Sequence, residues 1–121
     1  MRKASILVAE DSADTLSLIQ FLLEQEGYDV IPAHDGAAAL RQLSESRPDV
    51  LITDLMMPEV SGLELIEYVR GSDELSDLPI IALSAFGVDL LYEAAKVGAD
   101  SVVRKPKGLL DLGRTLNELM E

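Results

Sequence analysis

Cysteine is absent from this sequence, which excludes a disulfide framework and a thiolate metal site and leaves no trace of redox compartment. Cationic residues are scarce: 10 lysines and arginines stand against 22 aspartates and glutamates, a formal net charge of −12. A surface of that sign repels nucleic acid and anionic lipid, which are bound by cationic groups that displace counterions. No nucleic-acid or membrane contact is therefore expected. Acidity of this kind keeps a domain soluble and does not by itself identify a partner. No apolar run approaches the length that crosses a bilayer. The start Met1-Arg2-Lys3 is positive, but Ile6 to Ala9 is too short for a signal peptide's core, and Glu10-Asp11 follows at once. A cytoplasmic location is the expectation. Internal repeats and low-complexity segments are missing too. The single histidine, His34, has the chemistry to carry a phosphoryl group, but it sits on a loop after a presumed edge strand and reads as a surface residue.

What is present is an ordinary globular composition. With 48% hydrophobic and 26% charged residues, a chain of 121 suits one domain, residues 1–121, with a real core. Ile6 to Ala9 is a continuous apolar run, as expected of a strand buried on both faces. Asp11 or Ser12 can cap the helix that follows, whose apolar face is Leu16, Ile19 and Leu23, widened by Leu18, Phe21 and Leu22, and Gly27 ends it. Tyr28 to Ala33 is a second strand, with Pro32 suiting a sheet edge. Asp35-Gly36 opens a helix that stops before Pro48, and Asp49 to Asp54 is the third strand. Ser61-Gly62-Leu63-Glu64 matches a capping box, starting a helix to Gly71. Pro79 to Ser84, a helix from about Val88 to Val97, and Ser101 to Lys105 follow. Leu109, Leu112, Leu116 and Leu119 mark a final helix. Strands alternating with helices in this way imply an α/β fold with a parallel sheet covered on both faces, and right-handed crossovers restrict it to doubly wound arrangements.

In open parallel sheets, binding sites form beyond the carboxyl ends of the strands, near the point where strand order reverses. Those ends supply Glu10-Asp11, Asp54, Ser84 and Lys105-Pro106, so carboxylates, a hydroxyl and an ammonium converge on one rim. Each has an ordinary explanation alone, as a cap, a helix start or a solvated charge; the set does not. Carboxylates within a few ångströms repel one another by roughly 1–4 kcal/mol per pair, which a divalent cation relieves. Oxygen ligands without histidine or cysteine point to a hard ion, Mg²⁺ rather than Ca²⁺, with Mn²⁺ able to substitute. Metal, ammonium and hydroxyl together clamp a phosphoryl group, and an ionised Asp54 can then serve as nucleophile. In this scheme Asp11 holds the metal with Glu10 helping through water, Ser84 donates to one phosphoryl oxygen, and Lys105 pairs with another.

These residues resemble, in order and spacing, the response-regulator receiver domains of two-component signalling, over nearly the whole chain. The matching positions are Glu10-Asp11, Asp54-Leu55-Met56-Met57-Pro58 followed by Gly62, Ser84-Ala85, and Gly98-Ala99-Asp100 leading to Lys105-Pro106. The resemblance implies a flavodoxin-like sheet of five parallel strands in the order 2-1-3-4-5 with five helices. It implies that a histidine kinase or histidine phosphotransfer protein donates a phosphoryl group to Asp54 with Mg²⁺ required. Asp11, Asp54 and the backbone carbonyl of Met56 would be metal ligands, and Lys105-Pro106 would be a cis peptide. Signalling would pass by contact with a downstream protein target or effector domain, from a monomer or weak dimer.

Departures from the family pattern carry expectations of their own. Glu10 replaces the commoner aspartate, Val102 stands where many receivers carry an aromatic switch residue, and Lys107 replaces a frequent phenylalanine. Apolar Met56 and Phe86, each two residues beyond a site residue, are expected to orient hydrolytic water poorly and so to lengthen the life of the phosphoryl group. Three other readings are weaker. A dehalogenase-style phosphatase needs Asp-x-Asp after the first strand and a cap, a flavodoxin needs a phosphate-cradling loop there, and a docking module without phosphorylation would not need the intact acidic set. Both Met56 and Met57 are read as packing and backbone contributors.

Overall fold

The apolar runs become the middle of a sheet because their side chains find core on both sides. In the computed structural model, which describes residues 4–85 and 88–120, the strands are β1 (Ser5–Ala9), β2 (Asp29–Ala33), β3 (Val50–Asp54), β4 (Ile80–Ser84) and β5 (Ser101–Arg104). All pair in parallel, in the order β2-β1-β3-β4-β5. Between and after them run α1 (Ala13–Gln25), α2 (Gly36–Glu45), α3 (Gly62–Gly71), α4 (Val88–Val97) and α5 (Leu112–Met120).

Alternation along each strand sends neighbouring side chains to opposite faces. Leu7, Leu51, Ile80 and Ala82 pack with Ala39 and Leu43 of α2, Leu65, Ile66 and Val69 of α3, and Ala94 of α4. Ile6, Val8, Ile52, Ile81 and Leu83 pack on the other face with Leu16, Ile19 and Leu23 of α1 and with Leu112 and Leu116 of α5. Burying each such leucine or isoleucine contributes about 1.5–3 kcal/mol, which makes the central strands the rigid part of the molecule. β2 closes one edge. Pro32 sits there in register with Val8, where its missing N–H interrupts no inner ladder.

Local signals in the sequence set most of the boundaries. Ser12, not Asp11, caps α1, its side chain accepting from the Thr15 N–H, and Gly27 follows the helix at φ 93°. Asp35 caps α2, and Ser61 and Glu64 form the expected reciprocal box at α3. Each strand differs by one residue at one end from the sequence reading: β1 starts earlier, at Ser5, β2, β3 and β4 start one residue later, at Asp29, Val50 and Ile80, and β5 ends at Arg104. Asp49 precedes β3, but its N–H donates to the Ser5 carbonyl and its Oδ2 accepts from the Ser5 N–H at 2.7 Å. Lys105 lies just past β5, with its N–H still donating to the Ser84 carbonyl at 3.0 Å. The final apolar stretch divides into a 3₁₀ segment at Lys107–Asp111 and then α5. The Lys105–Pro106 peptide is cis.

Candidate functional site

Asp54 is the last residue of a strand buried along its whole length, and its side chain emerges at the carboxyl rim while remaining 5% exposed. Thr53, wholly buried beside it, donates from Oγ1 to the Asp54 carbonyl at 2.9 Å. Behind the aspartate, the start of α3 lies against the strand end. A Cβ on Gly62 would stand 2.0 Å from the Asp54 carbonyl oxygen, so only glycine permits this approach. The Gly62 N–H also donates to the Leu55 carbonyl, closing the β3–α3 loop on itself.

Glu10 follows β1 and is fully buried. Its Oε2 accepts from the Ser12 N–H at 3.1 Å, at the start of α1. Its Oε1 accepts from Lys105 Nζ at 2.7 Å, and the same ammonium donates to Asp54 Oδ2 at 2.9 Å. Lys105 therefore bridges the ends of β1 and β3 from its place after β5, with a side chain only 14% exposed. Asp11 is exposed, yet carboxylate oxygens of Glu10, Asp11 and Asp54 all lie within 4.8 Å of one another. Ser84 ends β4, fully buried, next to this group in the sheet.

Burial pushes the Glu10 carboxyl above its ordinary range, opposed by the hydrogen bonds from Lys105 and the Ser12 N–H; the charge on Asp54 adds to the rise. Burial pulls the Lys105 ammonium down, but its hydrogen bonds to Glu10 and Asp54, with their charges, outweigh this and hold it above its ordinary value. Lys105 is thus a fixed cation among carboxylates. One ammonium faces three carboxyl groups, and the donors are all hard oxygens. That donor set fits a small divalent cation such as Mg²⁺.

The residues singled out by sequence are therefore mostly brought together: Glu10, Asp11, Asp54 and Lys105 form one cluster, and Ser84 stands at the same rim. Met56 lies in the loop that follows Asp54, with its N–H directed at Asp54 Oδ1 at 3.4 Å. Its side chain is 52% exposed, so it does not pack as expected, whereas Met57 is buried. The backbone explains this, because successive loop residues alternate between core and solvent and Leu55 and Met57 take the inward positions. Phe86 lies outside the described residues. His34 is 77% exposed beside Asp35 and, among the described residues, joins no group of side chains that could hold a metal ion. Val102 is half-buried and packs on the core face shared by α2, α3 and α4. The direct Glu10–Lys105 pair was not foreseen, since 95 residues separate the partners and no local pattern links them.

Known proteins resemble the chain in both sequence and shape. Residues 6–117 match the family described as the response regulator receiver domain. The chain is 35% identical over 103 residues to the polar-differentiation response regulator DivK of Brucella anthropi, covering 84% of each protein. It is 33% identical to the DivK of Brucella ovis, again over 84% of each. Among solved structures, the chemotaxis response regulator CheY4 of Vibrio cholerae superposes with a TM-score of 0.90 at 30% identity, covering 98% of this chain and 99% of that one. A receiver domain of a signal transduction histidine kinase from Syntrophus aciditrophicus gives 0.89 at 30% identity, covering 97% and 89%. By sequence, sheet order and rim, this chain belongs to the response regulator receiver domain family of two-component signalling.

Proposed function

We propose that Asp54 accepts a phosphoryl group from a histidine kinase or histidine phosphotransfer protein and that the resulting charge switches the surrounding loops. The observation that carries this reading is Lys105 Nζ held 2.9 Å from Asp54 Oδ2, within a carboxylate set whose oxygens lie inside 4.8 Å. An Asp54 oxygen forms a bond to phosphorus as the bond from phosphorus to the donor's imidazole nitrogen breaks, and the electron pair leaves with the imidazole. Lys105 pairs with one phosphoryl oxygen and the Ser84 hydroxyl donates to another, stabilising charge on the equatorial oxygens in the transition state. Asp11, Asp54 and the Met56 carbonyl would hold Mg²⁺, with Glu10 helping through water; Mn²⁺ would substitute. Such a cation would neutralise the acidic cluster and the incoming phosphoryl charge. Output is by contact with a downstream protein or effector domain, with the chain in the cytoplasm. Among the described residues, no helix is long and apolar enough to cross a membrane.

Acetyl phosphate tests this without a cognate kinase. With Mg²⁺, the intact mass should rise by one phosphoryl group that hydroxylamine removes, and Asp54→Asn should show no gain. An unchanged wild-type mass at saturating Mg²⁺ would overturn the proposal. Met56, apolar and exposed beside the acceptor, offers hydrolytic water no hydrogen bond. The label on purified protein should therefore persist for minutes or longer; loss within seconds would contradict that part.

A further inference from the structure

The β3–α3 loop between Asp54 and α3 has one backbone feature that its own sequence does not favour. Glu59 adopts φ 66°, a region where side chains other than glycine's are crowded, and the Val60 N–H turns back to donate to the Pro58 carbonyl at 2.8 Å. Such a turn persists only where its surroundings over-determine it. Part of that constraint is internal, from buried Leu55 and Met57 and from the bond between Gly62 and Leu55. Another part comes from a different element. Gly36, the first residue of α2, lies so close that a Cβ there would stand 2.2 Å from the Val60 carbonyl oxygen and 2.5 Å from the Val60 Cβ.

We infer that Gly36 is a positioning residue of the phosphoacceptor site: by letting α2 close on Val60, it holds the loop carrying Met56 in its binding conformation. The inference rests on the proposed function. A methyl group at position 36 must displace either α2 or the loop. The first turn of α2 is fastened by Asp35, whose Oδ1 accepts from the Ala38 N–H at 2.7 Å, and by fully buried Ala39. The loop turn, already in an unfavourable conformation, is the side that yields. Displacement of Val60 passes along the short loop to Met56 and Asp54, whose backbone Gly62 also touches.

The test is a calorimetric titration of Mg²⁺ alone into wild type, Gly36→Ala and Gly71→Ala, with thermal midpoints for each. Gly71 ends α3 with nothing within 4 Å of an added Cβ and serves as the control. Gly36→Ala should weaken Mg²⁺ binding by about tenfold, as the loss of a group supporting metal ligands does. It should also raise the Mg²⁺ needed for half-maximal acetyl phosphate labelling while the rate at saturating Mg²⁺ returns to the wild-type value. Gly71→Ala should change neither. A Gly36→Ala protein with a lowered midpoint and wild-type Mg²⁺ affinity would overturn the inference and leave Gly36 as packing only. If Gly36→Ala does not fold, Val60→Gly strips the loop's side chain, Cβ included, from its packing beside Gly36 while leaving the carbonyl in place; wild-type Mg²⁺ affinity in that variant overturns the inference equally. A wild-type protein that binds no Mg²⁺ would instead sink the proposed function, and this inference with it.

Discussion

Asp11 shows most simply how charge is balanced at the rim. It is exposed and close to Glu10 and Asp54, the two carboxylates that the Lys105 ammonium contacts. Without a cation, its ionised form is a repulsive neighbour to two buried carboxylates. With a cation, it becomes a ligand. Neutralising it should therefore have opposite effects in the two conditions. Asp11→Asn is expected to stabilise the protein by about 1 kcal/mol in chelator, the size of one such repulsion near solvent. In Mg²⁺ the order should reverse, because the wild type gains binding free energy that the variant lacks. Urea unfolding with chelator and with Mg²⁺ measures both; a variant less stable than wild type in chelator would contradict the repulsion. At this scale, site chemistry was legible in sequence because Asp11, Asp54, Ser84 and Lys105 each follow an apolar strand. Glu10's role was only half legible. Its adjacency to Asp11 suggested an acid that helps through water, but its burial and direct bond to Lys105 depend on chain crossings that no local pattern records.

Among elements, the connections rather than the helices hold the surprise. Arg70, near the end of α3, donates from Nε and Nη2 to the Gly98 carbonyl at 3.0 and 2.8 Å and from Nη1 to the Ser76 and Leu78 carbonyls at 2.9 and 2.7 Å. Its Nη2 also pairs with Asp100 Oδ2 at 2.9 Å, and that oxygen accepts the Ile80 N–H at 2.8 Å. One guanidinium thus joins the α3–β4 connection, the start of β4 and the α4–β5 turn. Gly98 makes room for it, since a Cβ there would meet the Arg70 side chain at 2.8 Å. Arg70→Met keeps the stem and removes the fork, and should cost about 1.5–3 kcal/mol, the range for hydrogen bonds to a charged group. Amide exchange at Ala99 and Asp100 should quicken with it. Unchanged stability and exchange would show the network to be dispensable. None of this was visible in sequence, because the acceptors are backbone carbonyls and one carboxylate up to 30 residues away. The opposite holds for α3, whose Ser61–Glu64 capping box is a local code and was read correctly. The last helix shows a limit of apolar spacing. Leu109, Leu112 and Leu116 recur at three and then four residues, which suits a 3₁₀ turn as well as an α-helical one, and the structure uses both.

For the whole molecule, the sheet was legible as a class because its inner strands are unbroken apolar runs, which only a sheet covered on both faces can bury. The order β2-β1-β3-β4-β5 was not contained in those runs; it followed from resemblance and is borne out. That order places β1 beside β3 and β3 beside β4, so three neighbouring strand ends deliver Glu10, Asp54 and Ser84 side by side. β5 at the far edge would be too distant to contribute a short side chain. It contributes Lys105 instead, and the length of that side chain lets it span back to β1 and β3. The topology thus accounts for a lysine at this position and focuses the chemistry on Asp54. Borohydride reduction after phosphorylation converts an aspartyl phosphate to homoserine and marks the acceptor in the covalent chain. Peptide mass mapping of wild type treated with acetyl phosphate, Mg²⁺ and then borohydride should recover homoserine at position 54 and nowhere else. A reduced side chain at Glu10 or Asp11, or an unmodified Asp54 at saturating Mg²⁺, would contradict the account.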